Sequence, residues 1–259
     1  MAVTTLLVGC GRLGGAILGG WRLTGAVEMP SLGVLTPSAK PLTREAAADG
    51  AQINPQDFSA VSRVVLAVKP AKWREAAQGF LTHLPADTII ISVMAGIGTS
   101  RLAETFGGRA VARVMPTTAV SAAAGVAACF ATGDDALKAA HALFEPIATV
   151  VDVASDDLVD VATALSGSGA AYAYAFVRDL AEAGVRQGLA QDQALVLSRL
   201  TVAGALTRMQ AGEPNALIAE VASPGGTTEA GLRVLEPGLE ALLERTVAAA
   251  LARARRIGD

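Results

Sequence analysis

The rhythm of apolar and polar positions along the chain changes once, near residue 153. Before it, short runs of β-branched and aliphatic residues recur at 4–8, 32–35, 63–68, 88–93, 110–114, 125–131 and 147–153. Each is apolar at consecutive positions and bounded by glycine, proline or hydroxyl residues, the pattern of strands buried on both faces of a largely parallel sheet. Helical spacing fills the gaps, as in Ala16, Ile17, Gly20 and Trp21 after the first strand and in residues 135–144 between the last two. This alternation predicts an α/β domain over residues 1–153. Beyond it only the helical period survives. Ser155, Asp156 and Asp157 form a capping cluster, and Leu158, Val161 and Leu165, then Tyr172, Phe176 and Leu180, fall on helical faces. The small residues 166–170 interrupt that helix. Further helices are predicted at 191–210, 215–221 and 239–256, so residues 154–259 read as an all-α domain. Apolar helices without a sheet make a thin core for one chain, and an interlocked dimer is the expected remedy.

Candidate chemistry gathers at the strand ends. The first strand runs into Gly9-Cys10-Gly11-Arg12-Leu13-Gly14 and then a helix. This spacing and context fit a dinucleotide turn, in which successive glycines permit the turn, the approach of a pyrophosphate and the packing of helix on strand. A purely structural glycine turn is the alternative. After the second strand come Thr36, Pro37, Ser38, Ala39 and Lys40. No carboxylate stands there to bind the ribose hydroxyls of NAD, whereas hydroxyls and a cation suit the 2′-phosphate of NADP. NADPH is therefore the expected cofactor and NADH the alternative, unless the segment is an ordinary surface turn. Lys69 and Pro70 end the third run, where Lys69 could face the cofactor, a substrate carboxylate or solvent. Residues 94–97 and 115–118 put small or hydroxylic residues at two further strand ends.

The helical half holds one unusual stretch, Ser223-Pro224-Gly225-Gly226-Thr227-Thr228, leading into a predicted helical turn at 229–232. Unpaired amides at a helix start, with hydroxyls beside them, form an anion site. The alternative is a capped helix with Ser223 as N-cap and Pro224 in the first turn.

Composition narrows the classes. The chain has 259 residues, 52% of them apolar, and a formal net charge of −3, with no basic face to suit nucleic acid. No apolar stretch is long enough for a membrane span. Two cysteines, Cys10 and Cys129, are too few for a disulfide framework, and a cytoplasmic protein is expected. No spacing points to a metal. His83 and His141 sit in ordinary helical pattern and are read as structural, and the signatures of serine hydrolases and P-loop enzymes are missing. Hydride transfer to a small-molecule substrate remains, because a protonated imine needs orientation more than a strong acid or base.

Taken in order, residues 9–14, 67–70, 92–96, 113–118, 165–172 and 223–232 resemble pyrroline-5-carboxylate reductase over nearly the whole chain. The resemblance implies a Rossmann-type dinucleotide-binding domain followed by an all-α dimerisation domain, with homodimers or rings of dimers. It implies reduction of L-1-pyrroline-5-carboxylate to L-proline, the last step of proline biosynthesis. By motif, Gly11 to Gly14 would hold the pyrophosphate, Asn54, Val68, Lys69 and Ala95 would surround the cofactor, and Met115 and Thr118 would lie near the nicotinamide. Ser223, Gly225, Gly226 and Thr227 would bind the substrate carboxylate, and Thr228 would bond the ring nitrogen as the catalytic residue. The chain departs from the family pattern twice: Thr117-Thr118-Ala119 stands where Asn-Thr-Pro is usual, and Ala170 where Pro is usual. The alternatives are a reductase of another imine or ketone on this architecture, or a non-catalytic nucleotide-binding regulator.

Overall fold

The computed structural model describes residues 1–210 and 212–257. Eight strands form one sheet: β1 (Thr5–Val8), β2 (Leu32–Leu35), β3 (Gln52–Ile53), β4 (Arg63–Leu66), β5 (Ile89–Ser92), β6 (Val111–Pro116), β7 (Gly125–Ala131) and β8 (Ala148–Asp152). Their order is β3-β2-β1-β4-β5-β6-β7-β8, and every pairing is parallel except β6 with β7. The chain leaves β1 to one side for β2 and β3, then returns to the other side for β4 onward. That reversal opens a crevice beyond the carboxyl ends of β1 and β4. The helices α1 (Arg12–Thr24), α2 (Pro41–Ala48), α3 (Trp73–Gln78), α4 (Thr99–Thr105) and α5 (Asp134–Phe144) connect the strands.

Burial on both faces explains the continuous apolar runs. Leu7, Val34, Val65 and Ile91 pack with Ile17, Trp21 and Phe144 on one face. Leu6, Val64 and Ile90 pack with Trp73, Phe80 and Phe106 on the other. The Trp21 indole N–H finds the Leu143 carbonyl at 2.8 Å, so this ring is buried without stranding its donor.

The rest is helical: α6 (Asp156–Ala162), a π turn at Thr163–Gly167, α7 (Gly169–Arg186), α8 (Gln191–Met209), α9 (Pro214–Val221) and α10 (Thr227–Ile257). Ser155 caps α6 by accepting the Leu158 amide. The predicted interruption at 166–170 takes the form of the π turn and the start of α7. Ala170 stands in the first turn of α7, where a proline would fit but alanine also helps the helix. The predicted gap between 232 and 239 is corrected, since α10 continues through Pro237. Proline removes one amide and crowds the carbonyl four residues back, and the helical bonds on both sides of it outweigh that single loss. The short β3 has no signature in the sequence, because two residues carry no period.

By compactness the chain has two units. One comprises Met1–Gly167 with the residues from Ala250 onward; the other is Ser168–Ala249. Among the described residues of the second unit the buried positions are small ones, Ala181, Ala194 and Ser198. Large side chains such as Tyr174, Phe176, Leu197 and Leu200 are exposed on its helices. Among the described residues, no helix is long and apolar enough to cross a membrane.

Candidate functional site

Two neighbouring cavities occupy the crevice of the sheet unit. The larger, about 720 Å³, is lined by Gly9, Cys10, Gly11 and Arg12 from the turn after β1, by Thr36, Ser38 and Lys40 after β2, and by Val68, Lys69 and Pro70 after β4. The smaller, about 280 Å³, shares Val68 and Pro70 with it and adds Leu13, Ala95 and Met115. Most of the expected cofactor residues therefore come together from separate strand ends.

The turn after β1 shows why its glycines are needed. Gly9 has a φ of +95°, and a Cβ there would lie 2.7 Å from the Ala67 carbonyl oxygen. A Cβ on Gly14 would lie 2.2 Å from the Gly9 carbonyl oxygen, so α1 can approach the turn only without a side chain. Gly11 is different, with nothing within 4 Å of its Cβ position. It stands at the N-cap of α1 on the cavity wall, where the open space and the unpaired amides of the first turn suit a phosphate.

Cations surround that anion site. Arg12, Lys40, Lys69 and Lys72 line the larger cavity with a single acid, Glu75. Lys40 is held in place twice: its amide donates to Thr43 Oγ1 at 2.8 Å, and its ammonium donates to the Cys10 carbonyl at 2.7 Å. Burial pushes the Cys10 thiol up, with Lys40 opposing more weakly, so it serves as a neutral packing group.

Three expected cofactor residues are not on either wall. Gly14 is the close contact beneath the turn. Asn54, at φ +52°, accepts the Thr36 amide at 2.9 Å and donates to the Thr36 carbonyl at 3.1 Å. It thus positions Thr36, whose hydroxyl donates to the Ser38 carbonyl at 3.1 Å. Thr118 begins the short 3-10 helix Thr118–Ala122 beyond β6 and is exposed. Thr117, the departure from the family pattern, closes the β6–β7 connection: its amide donates to the Val126 carbonyl at 2.9 Å and its hydroxyl accepts the Val126 amide at 3.3 Å.

A buried ion cluster ties together elements adjoining two residues of the smaller cavity, Ala95 and Met115. Arg113, 2% exposed, donates to Asp156 and Asp160, each at 2.6 Å. The other oxygen of Asp156 accepts the Thr99 amide at 2.8 Å. One carboxylate therefore joins β6, which carries Met115, to the start of α4, which follows the loop bearing Ala95. Nothing in the local pattern around Arg113 points to these partners.

In the helical unit, residues 223–226 form a type II turn. The Gly226 amide donates to the Ser223 carbonyl at 3.0 Å, and Gly225 at position three has a φ of +72°. Ser223 is thus not the N-cap of α10, which begins at Thr227. The first α10 bond runs from the Ala230 amide to the Gly226 carbonyl, leaving the amides of Thr227, Thr228 and Glu229 at the open end of the helix. The Gly225 amide donates to the Glu229 carboxylate at 2.7 Å. The turn already holds a carboxylate, its own. Thr227 and Thr228 are exposed.

Comparison with known proteins adds two kinds of likeness. Residues 156–257 match the family model for pyrroline-5-carboxylate reductase dimerisation, and residues 4–96 match that for NADP oxidoreductase, coenzyme F420-dependent. The chain is 36% identical to pyrroline-5-carboxylate reductase of Pisum sativum, over 96% of this chain and 94% of that protein. It is 33% identical to that of Thermus thermophilus, over 97% of each. The solved pyrroline-5-carboxylate reductase of Coxiella burnetii superposes with a TM-score of 0.88 at 28% identity, covering all of both chains.

Proposed function

Because the chain belongs to the pyrroline-5-carboxylate reductase family, we infer that it reduces the C=N bond of L-1-pyrroline-5-carboxylate to give L-proline, with NADPH as the hydride donor. The observation that carries this reading is the crevice at the glycine turn, where open space over Gly11 meets four basic side chains. A dinucleotide fits these residues: its pyrophosphate would lie against the first turn of α1, and Thr36, Ser38 and Lys40 would receive a 2′-phosphate. Bound there, the nicotinamide supplies the hydride. Val68, Ala95 and Met115 would shape the apolar place for its ring.

The substrate offers a carboxylate and a ring nitrogen. Ser223, Gly225, Gly226 and Thr227 would hold the carboxylate, a role supported by the Glu229 carboxylate that the same turn accommodates. The Thr228 hydroxyl would bond the ring nitrogen and orient the C=N face. We assign residues 1–153 to cofactor binding and 154–259 to dimerisation and substrate, with 211, 258 and 259 outside the described residues. The matched dimerisation model supports oligomerisation; assembly of dimers into rings is the finer form we propose. Buried, unpaired Cys10 and Cys129 support placing the enzyme in the cytoplasm.

Steady-state oxidation of NADPH and of NADH, each with the pyrroline carboxylate, tests this. Turnover with both and a higher kcat/KM for NADPH is expected. A preference for NADH would overturn the 2′-phosphate assignment, and no turnover with either would overturn the enzyme reading.

A further inference from the structure

We propose that Cys129, His141 and Asp152 form a binding site for a zinc-class divalent ion at the far edge of the sheet, separate from the reductase crevice. The three residues come from β7, α5 and β8, and their spacing along the chain gives no hint of a metal. Folding brings them together. Cys129 lies opposite Asp152 in the parallel pairing of β7 with β8, so both side chains leave the sheet on the same face. His141 on α5 reaches that face, and a sulfur, an imidazole nitrogen and a carboxylate oxygen lie within 4.8 Å of one another.

The surroundings of the histidine favour this role. Its Nε2 is 2.8 Å from Asp152 Oδ1, while its Nδ1 is 2.7 Å from Glu145 Oε1 one helical turn along. A carboxylate on the far nitrogen is the usual outer support of a metal-bound histidine, since it keeps the proton on Nδ1 and turns the Nε2 lone pair toward the ion. In the metal-free protein the hydrogen bonds to Asp152 and Glu145 push the affinity of the same ring for its proton upward. Sulfur, nitrogen and oxygen together form a borderline-soft set that suits zinc over magnesium or calcium. Three protein ligands leave a fourth position for water. A hollow of about 260 Å³ adjoins the site, lined by Cys129, Thr132, Asp134 and Asp152 among others.

Burial and the neighbouring Asp152 push the Cys129 thiol up to about 12, so the metal-free site holds a neutral thiol. Binding replaces the S–H bond with a metal–sulfur bond and releases that proton to water, and the Nε2 proton leaves with it. No oxidant or reductant is needed. The bound ion would tie the outermost strand β8 to α5.

Cobalt(II) serves as the spectroscopic probe, added to the full-length protein after chelation and dialysis. One equivalent per chain should produce a thiolate-to-cobalt charge-transfer band and the visible bands of a four-coordinate ion, and zinc should bleach both. Cys129→Ser should abolish the charge-transfer band, Cys10→Ser should keep it, and Asp152→Asn, at an exposed rim position, should weaken cobalt binding by about tenfold or more while the fold is retained. Circular dichroism confirms that each variant is folded, and Asp152→Asn carries the test if the buried serine is not tolerated. Absence of a charge-transfer band in the wild type overturns the proposal, leaving an imidazolium held by two carboxylates. A band that survives Cys129→Ser, or cobalt affinity unchanged in Asp152→Asn, overturns it equally.

Discussion

A protonated cyclic imine already carries the charge that a hydride neutralises, so the residue of most consequence is the one that orients the ring. Thr228 stands in the first turn of α10, exposed, beside a turn that accommodates a carboxylate. We propose that its hydroxyl bonds the ring nitrogen once the carboxylate is held, and on that reading the bond gains strength as hydride arrives and the nitrogen acquires a lone pair. Thr228→Ala should therefore lower kcat by about ten- to a hundredfold and kcat/KM by a similar factor, because the lost bond belongs to the transition state. Unchanged kcat in a variant with wild-type melting temperature would remove Thr228 from the mechanism. Residues differ in how far the sequence exposes their roles. Ser223, Gly225 and Gly226 stand in one short stretch, and their turn is legible from Ser-Pro-Gly-Gly alone. Arg113 meets acids 43 and 47 positions away, and no local pattern carries that information.

At the scale of the element, α1 concentrates two different demands on glycine. Gly14 and Gly20 are packing positions: a Cβ would stand 2.2 Å from the Gly9 carbonyl oxygen in one case and 2.3 Å from the Val120 carbonyl oxygen in the other. Gly11 faces open space on the cavity wall. Gly11→Ala should therefore leave the melting temperature near the wild-type value while weakening NADPH binding by roughly tenfold or more, since on the proposed binding mode the methyl group would occupy the path of the pyrophosphate. Fluorescence titration beside a thermal melt reads both quantities, and undiminished affinity would place the pyrophosphate elsewhere. Gly14→Ala, by contrast, should lower the melting temperature as well. The elements themselves were largely legible. Strands buried on both faces leave continuous apolar runs, and β2 and β7 fall at the expected limits, Leu32–Leu35 and Gly125–Ala131. The two-residue β3 and the passage of α10 through Pro237 were not, one because it is too short for a period and the other because a long helix tolerates what local rules forbid.

At the scale of the whole molecule, the helical unit Ser168–Ala249 poses the problem that its apolar side chains lack cover within one chain. On α8 the consecutive Leu195, Val196 and Leu197 are all exposed, as is Leu200, which is 64% exposed, so the exposed apolar surface is broader than a single narrow stripe. An exposed apolar face that wide calls for cover. Burying a leucine of this kind contributes about 1.5–3 kcal/mol, and the several on α7 and α8 together exceed what scattered surface leucines require. The matched dimerisation model supports oligomerisation, and on that reading a second copy of the chain is the cover. Leu200→Glu places a charge where that copy would pack, and an unpaired carboxylate in an apolar interface costs more than the leucine contributed. Sedimentation velocity should show the wild type as a dimer or a multiple of it and the variant as a smaller species at micromolar concentration, with a lower melting temperature. If the variant sediments with the wild type, the exposed face of α8 lies outside the subunit contact and the interface must be sought on α7 or α10.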